Sequence, residues 1–374
     1  MTDQTEAETP EITRDAFIPA RKAEIAAAIQ AHGDLAPEIA SRFPDLSRLI
    51  AAVMHYEAYD ALENLKSSYA PLDPDAPAAK RETDASAFET FETQFLDALK
   101  HGNFVEIDAE SAISAKANKD LTGLSIKCSS AGIRRIRFFA RGARTQMIER
   151  KHWWGLRKEQ IEAETFSEVI VVVAFKSLSE IDRADRRAFA KTRHGVRPAA
   201  ALIKHFRNVA RAELLSLHPG AKPTMRTSDQ VMLAAPALIG GVPIAMQIVP
   251  AITVIFTVLA LFFGARGAIE NSELQRALAA LSGLIAVGTF VMRQWMKYER
   301  QNLKYQKKLA DTVYFRNMAN NSGVLDALIG AGEDQNVKEV ILAYWALLQA
   351  GKPITKAALD LDVETFLTTK LSLN

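Results

Sequence analysis

The sequence predicts an α+β integral membrane protein with four parts: an N-terminal helical region, a small β-rich basic module, a two-helix transmembrane hairpin and a C-terminal helical module. Three observations predict it. Apolar residues recur at helical spacing toward both ends, β-branched and aromatic runs cluster between Leu124 and Phe175, and Val231–Phe263 runs 33 residues without a charged side chain. A chain of 374 residues, 48% hydrophobic and 24% charged, can bury a core, which excludes wholesale disorder, collagen and a disulfide scaffold. The one cysteine, Cys128, allows no internal disulfide and fits a reducing compartment.

The near-neutral net charge of +2 hides a strong segregation. Residues 1–110 hold 22 Asp and Glu against 9 Lys and Arg, whereas residues 111–230 hold 11 against 24. A basic block of this size attracts phosphate-bearing surfaces or docks on the acidic part. The expected domains are 1–110 (acidic, helical), 111–228 (basic, α+β), 229–296 (membrane hairpin) and 297–374 (C-terminal, helical). In the first of these, Ile25, Ile29, Leu49, Ile50, Val53 and Tyr56 fall at helical spacing, and Pro71–Ser86 reads as a linker.

In the basic module Leu124–Cys128, Ile133–Ala140 and Val169–Phe175 read as strands, the last apolar on both faces and therefore central. Between strands lie Arg141, Arg144, Arg150, Lys151, Trp153, Trp154, Arg157 and Lys158, the candidate contacts to a lipid surface. Indole rings favour the headgroup level and cations pair with anionic lipid. The same mixture suits single-stranded nucleic acid, the less favoured partner, or tryptophans packed on the sheet beside solvated charges. Ile181–Pro198 reads as a charged loop.

The apolar tract exceeds one bilayer span and falls short of two. Gly240, Gly241 and Pro243 interrupt its start, so the first span is expected at about 242–263, with a kink at Pro250. The second is expected at about 276–295. There, 16 uncharged residues lie between Arg276 and Arg293, adequate if both arginines snorkel and Trp295 sits at the headgroup level. Ser282, Gly283 and Ala286 would let the two helices touch. Lysines and arginines flank both ends of the hairpin, while Arg266 and Arg276 in its loop are balanced by Glu270 and Glu273. The expected placement is multi-pass in the cell inner membrane with both termini cytoplasmic, and the acidic Met1–Asp15 contains no secretory signal.

Past the hairpin, Trp295, Tyr298, Tyr305, Leu309 and Val313 predict a continuing helix that Asn320–Gly323 ends. A helix over Val337–Ala350 stops at Gly351 and Pro353, and two short helices close the chain.

The seven histidines show no metal-ligand spacing, and no phosphate-cradling glycine loop, dinucleotide fingerprint or G-x-S-x-G elbow occurs. No cofactor or metal is expected, no catalytic residue is assigned, and the balance lies against an enzyme.

The run Tyr314–Leu325, with Lys338-Glu339 and Leu342-Ala343-Tyr344, resembles the uncharacterised membrane-protein family typified by transmembrane protein 143, domain of unknown function 3754. Phe17-Ile18-Pro19, Phe139–Gly142 and His205-Phe206-Arg207-Asn208 are similar in order. The resemblance implies two spans and a winged-helix-like C-terminal module that would be expected to continue past Asn374, so that module is expected to be incomplete here. It implies no activity. Three readings follow: a non-enzymatic membrane-anchored module binding anionic lipid headgroups or a protein partner, a subunit of an oligomeric channel or transporter, and a membrane-attached enzyme.

Overall fold

A computed structural model describes residues 17–76, 85–107, 125–152, 157–183, 185–192, 195–224 and 271–371, with isolated positions between 231 and 264. The elements in chain order are α1 (Lys22–His32), α2 (Pro37–Tyr69), α3 (Ala85–His101), β1 (Val105–Ile107), β2 (Ser125–Cys128), β3 (Ile133–His152), β4 (Arg157–Phe175), α4 (Arg186–Thr192), β5 (Ala201–Ala210), β6 (Ala221–Thr224), α5 (Asn271–Arg316), β7 (Asn317–Asn320), α6 (Ser322–Ala350) and α7 (Lys356–Leu371). A 3-10 turn, Arg211–Leu217, follows β5.

The chain divides into two compact units. The first comprises Met1–Ala117, Cys128–Gly220 and Val313–Asn374. The second comprises Asn118–Lys127 and Ala221–Thr312, with the β2–β6 ribbon and most of α5.

The first unit is built on a five-stranded antiparallel sheet ordered β1-β3-β4-β5-β7. Its centre is Val169–Phe175, buried throughout. Successive side chains of a strand point to opposite faces, so an unbroken apolar run requires cover on both. Ile170, Val172 and Ala174 pack with Phe91, Phe95 and Leu99 of α3 and Leu325 and Leu328 of α6. Val169, Val171 and Val173 pack instead with Ile181, Phe189 of α4 and Leu214 of the 3-10 turn. A third cluster joins Ile25 and Ile29 of α1, Phe43 of α2, Trp345 of α6 and Phe366 of α7. Trp345 Nε1 donates to the Gly33 carbonyl at 2.9 Å, which satisfies the indole in this buried place.

Asn321 fixes the passage from β7 into α6. Its backbone takes φ +51°, and its N–H donates to the Ile203 carbonyl at 2.8 Å. Its side-chain oxygen accepts from the Tyr69 hydroxyl at 3.3 Å, and its amide donates to Asp75 at 2.6 Å.

The integral membrane fold is corrected. The chain is mixed α+β, and among the described residues no helix is long and apolar enough to cross a membrane. The expected second span lies in α5, whose uncharged stretch is 16 residues between Arg276 and Arg293, short of the roughly 20 that a bilayer core requires. The expected first span, 242–263, falls almost wholly outside the described residues. The multi-pass inner-membrane localisation and the transmembrane description fall with the hairpin. A Cβ added at Gly283 meets nothing within 4 Å, so the close helix contact expected there has no described counterpart.

Smaller differences have local causes. Ile181–Pro198, expected as a loop, holds α4, whose Phe189 is buried on the sheet. The closing segment is one helix, α7, rather than two. Helix α6 begins at Ser322 rather than Val337, and Gly351 ends it at φ +60°.

Candidate functional site

The basic stretch does not lie between strands. Both β3 and β4 run through it and pair with each other as far as His152↔Arg157. Strand β1 reaches only Phe138–Ala140 of β3, and β5 reaches β4 only from Thr165 to Ala174. From Thr145↔Glu164 outward, β3 and β4 have no other strand partner among the described residues. Eight residue pairs thus form a two-stranded arm, about 25 Å long at the usual strand rise.

The base of this arm is tied down by charge. Glu168 accepts from Arg141 Nη2 at 2.7 Å through one carboxylate oxygen and lies 2.8 Å from His205 Nε2 through the other. Burial opposes ionisation of Glu168, but the hydrogen bonds from His205 and Arg141 outweigh it and hold the carboxyl at about 2. Arg141 also donates to the Gly102 carbonyl at 3.1 Å and lies 4.8 Å over the Phe104 ring. Its side chain is only 12% exposed, and these bonds fix the strand positions where the arm departs.

Farther out, Arg144 is exposed, and its carbonyl accepts from the Thr165 hydroxyl at 3.0 Å. At the tip Arg150 is paired with Glu159, Lys151 with Lys158 and His152 with Arg157. The register thus sets two lysines, Lys151 and Lys158, directly opposite each other, with Arg157 opposite His152. Trp153 and Trp154 lie outside the described residues. The structure therefore brings Arg150, Lys151, Arg157 and Lys158 to one end of the arm and puts Arg141 at the other.

Other chemistry is sparse. No group of three or more His, Cys, Asp or Glu residues suited to a metal ion occurs among the described residues. Cys128 is exposed, yet partial desolvation of its sulfur, which lies 3.7 Å from the Leu215 carbonyl, pushes the thiol up to about 11. A thiol so raised is a weak nucleophile at neutral pH. A cavity of about 430 Å³ between α2, α3 and α6 is lined by Glu57, Asp97, Glu333 and His101 around Ala98 and Gly332. The Glu168–His205 pair was missed in sequence; its one signal is an acid directly before the apolar run Val169–Phe175.

No curated protein and no solved structure matches this chain. Residues 166–323 match a family model described as a protein of unknown function, DUF3754, and the match takes in Glu168, His205 and Asn321 while starting beyond the arm tip. That match, over residues 166–323, covers under half of the chain.

Proposed function

We propose that this protein is a non-enzymatic binding module whose β3–β4 arm docks its tip onto the phosphates of anionic lipid headgroups at a membrane surface. The observation that carries the reading is the register. It gathers Arg150, Lys151, Arg157 and Lys158 at one end of the arm with Lys151 opposite Lys158, a concentration of cationic residue types that suits an anionic partner. Trp153 and Trp154, next in sequence, supply residue types suited to the headgroup level. Tying the arm's base through Arg141, Glu168 and His205 supports its use as a projecting contact. The narrower likeness to transmembrane protein 143 stays part of this proposal and rests on motifs such as Phe17-Ile18-Pro19.

The test is co-sedimentation of the full-length chain with phosphatidylserine-containing vesicles and with purely neutral ones. Binding to anionic vesicles is expected to fall with salt. Each basic residue near such a surface contributes about 1 kcal/mol, so replacing Arg150, Lys151, Arg157 and Lys158 together by Gln is expected to remove most of it. Equal binding to neutral vesicles overturns the reading, as does tighter binding to single-stranded nucleic acid.

A further inference from the structure

Helix α5 holds Leu278, Leu281, Ile285, Met292 and Trp295, each between 48% and 63% exposed. With Gly288, also exposed, they follow one another at steps of three, four, three, four and three residues. That alternation is the a/d seam of a coiled coil. Arg293 and Lys297 fall at its outer b and f positions, and Val291, Met296 and Tyr298, exposed as well, flank it at g and e. Glu299 and Asn302 end the seam at the next a and d positions.

A contiguous exposed apolar surface of this kind marks an interaction site. With its flanks the seam offers roughly 800 Å² per copy, the area that each partner of a stable interface contributes.

Shape and charge both fit a second copy running antiparallel. Leu278 then faces Trp295, Leu281 faces Met292, and Ile285 faces Gly288, where an added Cβ meets nothing within 4 Å. A parallel pair instead sets Gly288 against Gly288 and leaves a gap between them. It also lays Arg293, Lys297, Arg300 and Lys304 beside their own copies, whereas the antiparallel pair sends the two basic ends apart.

We infer that α5 pairs antiparallel with α5 of a second copy of this chain through the Leu278–Trp295 seam. Each copy covers the apolar stripe of the other. This pairing does not depend on the function of the β3–β4 arm.

The experiment is sedimentation equilibrium of the full-length chain across micromolar concentrations, and a monomer–dimer equilibrium is expected. Ile285→Glu buries an unpaired carboxylate in the seam and is expected to weaken the dimer at least about tenfold. Gly288→Leu favours the helix itself, yet is expected to weaken the dimer as much, because it fills the space that Ile285 of the other copy takes. Lys297→Glu, at an outer position, is expected to leave the affinity within about twofold. Ile285 and Gly288 are exposed in the single chain, so neither seam variant is expected to lower its thermal midpoint. Orientation is read by mixing and oxidising two Cys128→Ser chains, one carrying Leu278→Cys and the other Trp295→Cys. Disulfides between unlike chains are expected in excess over those between like ones. Dimerisation unmoved by both seam variants, or crosslinks of like with like, overturns the inference. A monomer at every concentration also overturns it: co-sedimentation with neutral vesicles then assigns the seam to lipid, and a Leu278→Cys thiol closed to alkylation assigns it to the chain's own residues.

Discussion

Glu168 and His205 meet at 2.8 Å, carboxylate oxygen to ring nitrogen, and so join β4 to β5 at the point where the β3–β4 arm leaves the sheet. Arg141 of β3 holds the other oxygen of the same carboxylate at 2.7 Å. One acidic side chain thus links three adjacent strands.

The acid dependence of stability follows from that link. The folded state holds Glu168 at about 2, below the roughly 4.3 of an unfolded glutamate. A depressed carboxylate contributes stability that is present above the unfolded value and lost as pH falls toward the folded one. Glu168→Gln is therefore expected to cost about 1–3 kcal/mol at pH 7, with the gap to wild type closing between about pH 5 and pH 2. Urea unfolding across that range checks it; a gap independent of pH contradicts it.

Asn321 ties α2, β5 and α6 together through Tyr69, Ile203 and its own backbone. Asn321→Ala removes these bonds while keeping φ at +51°; the Tyr69 hydroxyl still donates to the Ala201 carbonyl at 2.8 Å, so the expected cost is about 1–2 kcal/mol. Asn321→Gly loses the same hydrogen bonds but relieves the backbone, so it is expected to be the milder of the two by up to about 1 kcal/mol. Equal denaturation midpoints for the two variants would remove the strain from this explanation.

Gly132 sits at φ +75° with the Phe189 ring where a Cβ would go. Gly132→Ala is expected to expel Phe189 from the sheet face and cost at least about 2 kcal/mol. Thermal unfolding beside Gly195→Ala is the comparison. Gly195, at φ +86°, has nothing within 4 Å of an added Cβ, and its variant carries backbone strain alone.

These elements were unevenly legible in the sequence. Val169–Phe175 declared itself because a strand covered on both faces must be apolar at every position. Ile25 and Ile29 showed the period of α1 because both pack on a core. Of the α2 residues Leu49, Ile50, Val53 and Tyr56 only Ile50 is buried, and the helix bearing Trp345 was marked by its stop at Gly351 and Pro353. Strand β5 was hidden, since Lys204, His205 and Arg207 interrupt its apolar residues, and the buried His205 is accommodated by Glu168 from the neighbouring strand and by the Phe104 ring. The arm was hidden because strands paired only with each other bury little, so Arg144–His152 shows no apolar alternation to mark it. The second span of the expected hairpin fails on length, because the 16 uncharged residues before Arg293 fall short of the roughly 20 that a bilayer core requires.

Lys158→Glu separates the two roles of the arm tip. Placed opposite Lys151, a carboxylate is expected to favour the pairing by about 0.2–1 kcal/mol, slowing hydrogen exchange of the arm by up to several-fold. The same change is expected to weaken binding to anionic vesicles. An arm that is stabilised with no loss of vesicle affinity would show that the tip cations are not the contact.

The most direct measurement of the central claim is hydrogen exchange of the full-length chain with and without phosphatidylserine-containing vesicles, followed peptide by peptide. New protection is expected over about 148–161, with Ile133–Ala140 and Ala201–Ala210, already held in the sheet, unchanged. Vesicle binding that leaves 148–161 unprotected, or equal protection by neutral vesicles, contradicts the claim that the arm tip recognises anionic headgroups.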